Sequence, residues 1–469
     1  MKICPAAAAC SLRVIRLLVL LIPAVLFVLV ARLLTEPVPS GTQRDFVTEL
    51  SLREIPEIFE RFSAIVGSDV WERRIRQLNA EIRHNPLIEH HVRREYMVAY
   101  ALERCGELLQ RREYFPEPGP DTSDFYQALG FARQVLGMTD QATPLEAQRM
   151  ISRVRDAVVN PPAMRGLRLE LAVATHFARR GHRLAWPEMI GAGTFDLLLP
   201  ELGTDGLEIE CKSISNDKGR SVHRREVLAL LQQIQPLVRP ICATLKVDLI
   251  VVVSVLQRLP TSKEALLAIA NRVRNQIWLS QTSQFIDGYS VDVFQLDAGT
   301  LRAAMTPPGD MRAAISKVIG PGHREAMVFD ARESGGALAV VIQGVRADDM
   351  LGATFETLRQ AAKRQLTQSR AGLLVAGFED LSTTQLVGIA EQENDPQRPP
   401  TALGPHVHRL LAEPQRNHVI GVALLSRSEL LSHAGQVVDT AGASFSFLNR
   451  SSRYWKLDFE GMFGERREP

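Results

Sequence analysis

The sequence predicts an α/β protein with a helical region on its N-terminal side, and three observations carry that prediction. Five apolar residues recur at the spacing of a helix that packs by one face: Met164, Leu167, Leu171, Ala174 and Ala178. Three short β-like segments follow, the last of them at 207–213, where residue types alternate with a period of two. The apolar run at 249–253 then predicts a buried strand. Such alternation of helices and strands is typical of α/β proteins.

Residues 46–160 predict helices, with apolar stripes at helical spacing such as Ile55, Ile58 and Phe62. Thr143 followed by Pro144 predicts a helix start, because threonine caps helices and proline is favoured in the first turn. Further elements are predicted in the last third of the chain: strands at 337–342, 372–378 and 419–425 and a helix at 354–368.

Composition limits the classes of function. The chain has 469 residues, enough for two or three domains, and its net charge of +2 means that any nucleic-acid contact must come from local patches. The five cysteines are scattered without metal-ligand spacing, which fits a reducing compartment better than a disulfide framework. The sequence contains no Gly-rich phosphate loop of the P-loop type.

The strand at 207–213 carries charged residues on one face. Glu210 and Lys212 lie two residues apart and so project together, whereas Ile209 and Cys211 face an apolar layer on the other side. Asp196, on a neighbouring predicted strand, is placed to meet Glu210. Two adjacent carboxylates raise each other's pKa unless a cation lies between them, and such oxygen ligands suit Mg²⁺ or Mn²⁺.

A third carboxylate comes from the preceding helix. Glu170 lies three residues after Leu167 and four before Ala174, which places it in or beside the apolar stripe. A carboxylate in that position is costly unless it is paired or linked to a metal.

The helix glutamate, the strand aspartate, thirteen intervening residues and the Glu-x-Lys strand together resemble the PD-(D/E)xK nuclease superfamily. The resemblance implies a restriction-endonuclease-like αβββαβ core, completed by a helix near Arg224 and the strand at 249–253. It implies that Glu170, Asp196, Glu210 and Lys212 are catalytic. The three carboxylates would hold Mg²⁺ or Mn²⁺, and Lys212 would orient or help deprotonate the attacking water.

Glu-x-Lys alone is a weak signal, because such tripeptides arise by chance and an exposed ion pair on a strand is the ordinary alternative. With the resemblance, the predicted organisation is an apolar segment and linker at 1–42, a helical region at 43–160, a nuclease-like domain at 161–300 and a C-terminal α/β region at 301–469.

A basic loop follows the Glu-x-Lys strand. Lys218, Arg220, Arg224 and Arg225 lie in a position where they would hold the DNA backbone beside the scissile bond. A flexible, solvated loop is an equally good interpretation of these residues. The sequence does not distinguish DNA from RNA as the substrate.

The N-terminus carries an apolar run at 17–31 between Arg16 and Arg32. Extended to residues 14–34, it is long enough to span a bilayer as a transmembrane helix. A signal peptide and an upstream region read from too early a start are the alternatives. The nuclease-like region is expected in the cytoplasm, with the inner membrane as the site of any anchor.

Three functions follow from these patterns. The first is a divalent-metal-dependent endonuclease that hydrolyses phosphodiester bonds in DNA. The second is a binding or scaffold protein that kept the nuclease fold but lost turnover. The third is a membrane-anchored interaction protein in which Glu-x-Lys is accidental.

Overall fold

The structure is a computed structural model that describes residues 49–279, 285–322, 324–330, 336–427, 429–433, 436–440 and 442–463. The predicted transmembrane segment at 14–34 lies outside the described residues. Among the helices that are described, none combines the length and the apolar character that a bilayer crossing requires.

The described helices, in chain order, are α1 Ile55–Val66, α2 Ser68–His84, α3 Glu89–Glu95, α4 Met97–Arg111, α5 Ser123–Gln141, α6 Pro144–Val159, α7 Pro161–Arg179, α8 Pro187–Ile190, α9 Arg224–Cys242, α10 Lys263–Leu279, α11 Thr300–Met305, α12 Met311–Ile319, α13 Met350–Arg364, α14 Thr383–Asn394 and α15 Leu403–Leu411. The described strands are β1 Glu49–Ser51, β2 Leu197–Leu199, β3 Leu207–Ile214, β4 Asp248–Val255, β5 Tyr289–Leu296, β6 Glu325–Asp330, β7 Ala337–Gly344, β8 Ala371–Phe378, β9 Val419–Leu425, β10 Glu429–His433, β11 Gln436–Thr440 and β12 Ser444–Leu448. The predicted α/β class is confirmed.

The N-terminal region is helical, as the sequence predicts, and α1, α2, α4, α5 and α6 share one apolar core with the first part of α7, whereas Val92 of α3 packs in a smaller cluster with Leu78. Its largest fully buried side chains are aromatic, including Phe62, Trp71 and Tyr126. Thr143 caps α6, since its hydroxyl accepts a hydrogen bond from the Glu146 backbone N–H while the Glu146 side chain accepts one from the Thr143 N–H. A small antiparallel sheet, in the order β1-β11-β10, completes this side of the molecule.

The main sheet has five strands in the order β12-β9-β8-β3-β2. Strands β3, β8 and β9 are parallel, and the edge strands β2 and β12 are antiparallel to their neighbours. Ile209 and Cys211 of β3 pack with Phe177 of α7 in one apolar core, and Phe355 of α13 lies in another core with Ile214. The predicted assignment of Ile209 and Cys211 to an apolar layer is therefore confirmed.

A second sheet has four strands in the order β5-β4-β7-β6, with β4 and β7 parallel at its centre. The helices α9 and α10 pack on one face, and α11 and α12 on the other. All elements of this sheet fall between β3 and α13 in the chain, so residues 224–344 form an inserted unit. Its entry and exit are joined by a hydrogen bond from the Asp349 N–H to the Gly219 carbonyl.

The predicted strand at 249–253 exists within β4, but its predicted place as the last strand of an αβββαβ core with the Glu-x-Lys strand is wrong, because β4 belongs to the second sheet. The position next to β3 is taken by β8. The two strands pair in parallel over eight residues, from Leu207 opposite Ala371 to Ile214 opposite Phe378. A buried apolar strand fits the centre of either sheet, and chain order alone does not choose between them. The predicted domain boundaries at 160 and 300 stay predictions, although the main sheet joins strands from both sides of residue 300.

Candidate functional site

The pair Asp196 and Glu210 comes together through strand register. Leu197 of β2 lies opposite Ile209 of β3, and continuing that antiparallel register by one residue places Asp196 opposite Glu210. β2 begins only at Leu197, so on the side of β3 that faces β2 the residues from 210 onward have no strand partner. Asp196 fills the start of that edge, where its Oδ2 accepts a 2.7 Å hydrogen bond from the Cys211 N–H.

Lys212 contacts Glu210 directly, as expected for residues two apart on one face. Its Nζ lies 2.5 Å from Glu210 Oε1. The Glu210 side chain is fully buried, whereas the Lys212 side chain keeps 25% of its surface exposed. Glu210 Oε2 is buried and has no hydrogen-bond partner among the described residues. One carboxylate oxygen is therefore paired with an ammonium group, and the other is left without a donor.

Glu170 is buried on α7, and its partner comes from a helix that the sequence did not single out. Arg153 of α6 donates from Nη2 to both Glu170 oxygens, at 2.8 and 3.0 Å. The same Nη2 lies 3.8 Å from Glu188 Oε2 on α8. Arg153 is a functional candidate that sequence reasoning missed. Its only signal in the sequence is a basic residue beside Val154, within the apolar stripe of α6.

The three carboxylates interact electrostatically. Burial raises the pKa of Glu210 to about 8, and the negative charge of Asp196 adds to the effect while Lys212 opposes it. Burial likewise raises the pKa of Glu170 to about 7, with Asp196 adding and Arg153 opposing. The pKa of Asp196 is raised by burial against the opposing hydrogen bond from Cys211.

The two cations respond in the opposite sense. Burial acts to lower the pKa of the Lys212 ammonium group, but the Glu210 and Asp196 carboxylates outweigh burial and the pKa is raised. Arg153 behaves in the same way beside Glu170. The structure thus brings Glu170, Asp196, Glu210 and Lys212 into one coupled group, to which Arg153 belongs. We call these five residues the carboxylate cluster.

Whether the carboxylate cluster could hold a divalent cation depends on the oxygen atoms that it offers as ligands. All three carboxylates offer hard oxygen ligands, the pKa values are raised by unrelieved burial and repulsion, and Glu210 Oε2 lacks a donor. Within the described ranges, however, no group of three or more His, Cys, Asp or Glu side chains is already spaced to hold a metal ion. Mg²⁺ commonly uses only one or two protein carboxylates, with water and substrate phosphate as the other ligands. Asp196 and Glu210 are the two carboxylates that could supply such ligands.

The basic loop lies partly against the helical region. The Arg224 N–H donates to Asp217 Oδ1 at 3.3 Å, and Arg225 Nη2 lies 3.0 Å from Glu81 Oε2 with 62% of its own side chain exposed. Arg220, Arg224 and Arg225 line a cavity of about 400 Å³, and Lys218 does not line it. Arg224 and Arg225 are the first two residues of α9 and so do not lie in a loop, and the role of the four basic residues in DNA binding stays a prediction.

Glu208 shares the face of Glu210 but has a complete set of partners. Its oxygens accept hydrogen bonds from the Thr367 N–H at 2.7 Å and the Thr367 hydroxyl at 2.5 Å, and Arg370 Nε lies at 3.1 Å. Glu208 thereby ties β3 to the segment between α13 and β8. Its neighbour Glu210 has no such backbone donors among the described contacts.

No protein-family model matches this chain, and searches of curated proteins and of solved structures likewise returned no match.

Proposed function

We propose that this protein is a divalent-metal-dependent nuclease that hydrolyses phosphodiester bonds in DNA. The observation that carries the proposal is the carboxylate cluster: the four residues that the resemblance singles out, Glu170, Asp196, Glu210 and Lys212, interact electrostatically, and Lys212 contacts Glu210 directly. Their convergence from a helix, a strand and the residue before β2 supports a shared role more than an isolated ion pair on an exposed strand face.

The arrangement of elements also supports a restriction-endonuclease-like core. Without the inserted unit 224–344, and apart from the single-turn helix α8, the chain order is α7, the bridge residue Ala185, which pairs antiparallel with Leu198 of β2, then β2, β3, α13 and β8. That order is helix, three β segments, helix and strand, with the last strand parallel to β3. We infer that the core is discontinuous and that the inserted unit interrupts it just after the catalytic strand.

In this proposal Asp196 and Glu210 would hold Mg²⁺ or Mn²⁺, with Glu170 as a third carboxylate near the ion. When bound, the ion supplies charge stabilisation of the phosphate and lowers the pKa of a coordinated water. Lys212 is three-quarters buried and lies beside Glu210, so its ammonium group would orient the attacking water. Arg153 holds Glu170 in place through its two hydrogen bonds and opposes the rise in the Glu170 pKa that burial causes.

The test uses supercoiled plasmid DNA and the full chain, with Mg²⁺ or Mn²⁺ and with a chelator. We expect cleavage with either metal and none with the chelator. The variant Lys212→Ala should lose about 10²-fold or more in rate, the magnitude typical of removing a group that acts on the attacking water. The matched control is Lys263→Ala, an exposed lysine at the start of α10. A Lys212→Ala protein that cuts as fast as the parent would overturn the mechanism.

A second candidate is a binding protein that keeps the fold without turnover, and the ion pairs of the cluster favour it. Lys212 Nζ lies 2.5 Å from Glu210 Oε1 and Arg153 Nη2 lies 2.8 Å from Glu170 Oε1, so each carboxylate has a cation of the protein itself as a partner. If the full chain binds DNA but neither Mg²⁺ nor Mn²⁺ produces cleavage or changes its thermal midpoint, this second function is supported.

A further inference from the structure

A cavity separate from the carboxylate cluster opens at the carboxyl ends of the three parallel strands of the main sheet. Its volume is about 670 Å³, and Ser213, Gly377 and Leu425 line it from β3, β8 and β9. No member of the carboxylate cluster is among its lining residues. The carboxyl ends of parallel strands are the usual place for ligands in α/β sheets, and this volume suits a small molecule.

The charges in this cavity are not balanced evenly. Arg165 is neutralised twice, since its Nη1 lies 2.8 Å from Glu95 Oε2 and its Nε lies 3.1 Å from Glu379 Oε1. Arg168 is only partly exposed and makes contacts with neutral groups alone: Nη2 donates to Gln127 Oε1 at 2.7 Å and Nη1 approaches the Met97 sulfur at 3.3 Å.

A guanidinium group that is partly withdrawn from water normally meets a carboxylate or another anion. In the described part of the chain Arg168 has no carboxylate partner. Arg427, an exposed residue just after β9, lines the same cavity and likewise makes no ion pair with a described carboxylate. Two arginines of this lining are thus without a carboxylate partner, although the exposed Asp124 also lines the cavity, and the planar fork of arginine matches the oxygens of a phosphate.

The rest of the lining is apolar enough for more than a phosphate. Met97, Pro120, Leu169 and Phe378 supply a hydrophobic surface in the same cavity. A flat, partly apolar ring system with a phosphate attached would use both surfaces. We propose that this cavity binds a nucleoside phosphate, with Arg168 and Arg427 at the phosphate and the apolar side chains around the base.

A nucleic-acid strand is the competing occupant. A second cavity of about 400 Å³, which contains Arg224 and Arg225, shares Arg94, Glu95 and Arg165 with the first. At this junction the arginines already have carboxylate partners: Arg94 pairs with Asp380, and Arg165 pairs with Glu95 and Glu379. Those carboxylates would repel a continuous phosphate backbone at the point where it must pass, so a single nucleotide is the better occupant.

Isothermal titration calorimetry of the full chain, without divalent metal, tests the proposal with the four ribonucleoside triphosphates, their monophosphates, adenosine and inorganic phosphate. At least one nucleoside phosphate should bind, and more tightly than adenosine or phosphate alone. Arg168→Gln should weaken that binding by about 10-fold or more, since it removes a charge-assisted hydrogen bond. Arg427→Gln should weaken it in the same direction, and the exposed Arg312→Gln on α12 should leave it unchanged.

Circular dichroism shows whether Arg168→Gln folds; if it does not, Arg427→Gln, whose side chain is exposed, decides the result. The proposal is overturned if none of the nucleoside phosphates binds, or if binding is the same in the folded arginine variants as in the parent. It is also overturned if a single-stranded oligonucleotide binds through Arg168 while every mononucleotide fails to bind. None of these measurements depends on DNA cleavage, so the nuclease proposal is tested separately.

Discussion

The two large sheets have the same plan but treat a buried carboxylate in different ways. Each has parallel strands at its centre and antiparallel strands at its edges. In the second sheet, Asp248 at the start of β4 is 1% exposed. Its two oxygens accept 2.8 Å hydrogen bonds from the Leu301 and Ala337 N–H groups. In the main sheet, Glu210 is equally buried, but only one of its oxygens has a partner. Oε1 contacts Lys212, and Oε2 has no hydrogen-bond donor among the described residues.

This difference gives a criterion that separates a structural carboxylate from a functional one, namely whether its hydrogen-bond donors are backbone groups or side chains. Asp248 is satisfied by backbone groups that are fixed by the fold, so it joins α11 and β7 to β4. Glu210 is balanced by a side chain that can move and by other titratable groups, which leaves an oxygen for a ligand. Glu208, two residues away on the same strand, follows the pattern of Asp248, so the contrast does not depend on the strand.

The largest expected effect concerns Asp196, the partner of Glu210. Asp196→Ala should remove metal-dependent cleavage by about 10²-fold or more, because it takes away a proposed ligand of the ion. It should also abolish the rise in thermal midpoint that we expect when Mg²⁺ or Mn²⁺ is added to the parent. Differential scanning fluorimetry with and without metal measures this rise, and Asp292→Ala, on β5 of the second sheet, is the control. A metal-induced rise that persists in Asp196→Ala would place the ion elsewhere.

The second prediction compares the two buried carboxylates by stability. Asp248→Asn should lower the free energy of unfolding by about 1–3 kcal/mol, because the new amide NH₂ faces a buried N–H that loses its acceptor. Glu210→Gln should cost clearly less, since it ends the repulsion with Asp196 and Glu170. Urea denaturation followed by circular dichroism compares the variants. Equal losses in both would mean that Glu210 is as structural as Asp248.

The third prediction concerns pH. The pKa of Glu210 is raised from 4.5 to about 8, and that of Glu170 from 4.5 to about 7. Between the unfolded and folded values, the unfolded chain releases protons that the folded protein keeps, so stability should fall as pH rises from about 4.5 to about 8. Each group contributes a slope of up to about 1.4 kcal/mol per pH unit. The thermal midpoint, recorded from pH 5 to pH 9, should decline less steeply in Glu210→Gln.

Adding Mg²⁺ or Mn²⁺ to the parent should likewise make the decline of the thermal midpoint with pH less steep, because a bound cation competes with protons for the carboxylates. Asp248→Asn serves as the control, since it removes a carboxylate that lies outside the carboxylate cluster. The thermal midpoint of this variant should follow the same pH slope as that of the parent. If the thermal midpoint of the parent does not change from pH 5 to pH 8, the pKa values of the carboxylates in the cluster are not raised in the folded protein.

The sequence predicted local features of the cluster well. The two-residue period of β3 correctly separated Glu210 from Cys211. Asp196 was predicted within a strand, but it lies one residue before β2, in a bend that still places it opposite Glu210. These features depend on neighbours a few residues away. The place of β4 depends instead on pairing with β7, about ninety residues further along the chain. An apolar strand such as 249–253 carries no pattern that identifies its partner.

Arg153 was missed for a related reason. Whether a basic residue on an amphipathic helix meets water or a buried carboxylate depends on how two helices cross, and α6 and α7 cross so that Arg153 meets Glu170. The cavity at the carboxyl ends of β3, β8 and β9 was also beyond the sequence, because its lining comes from six separate stretches of the chain. Charge patterns predict which residues are unusual, but not which distant residues they meet.

The smallest expected effect distinguishes two pairs of arginines on the helices of the inserted unit. Arg224 and Arg225 begin α9, just after the loop that follows β3, whereas Arg274 and Arg312 lie on α10 and α12. If the first pair contacts DNA phosphates, replacing both by Gln should weaken DNA binding uniformly across sequences and lower the salt slope by roughly one unit per lost contact. Replacing the second pair should leave the slope unchanged.

Fluorescence anisotropy of a labelled duplex across a salt series measures both slopes. Stability should change little, because the exposed ion pair of Arg225 with Glu81 is worth at most about 1 kcal/mol. The strength of that ion pair also sets a limit on the effect, since Arg225 must leave Glu81 to reach a phosphate and so contributes less than a free arginine. An unchanged slope in the Arg224 and Arg225 variant would return both residues to surface contacts with the helical region, and the path of the DNA would then have to be sought on the other side of the carboxylate cluster.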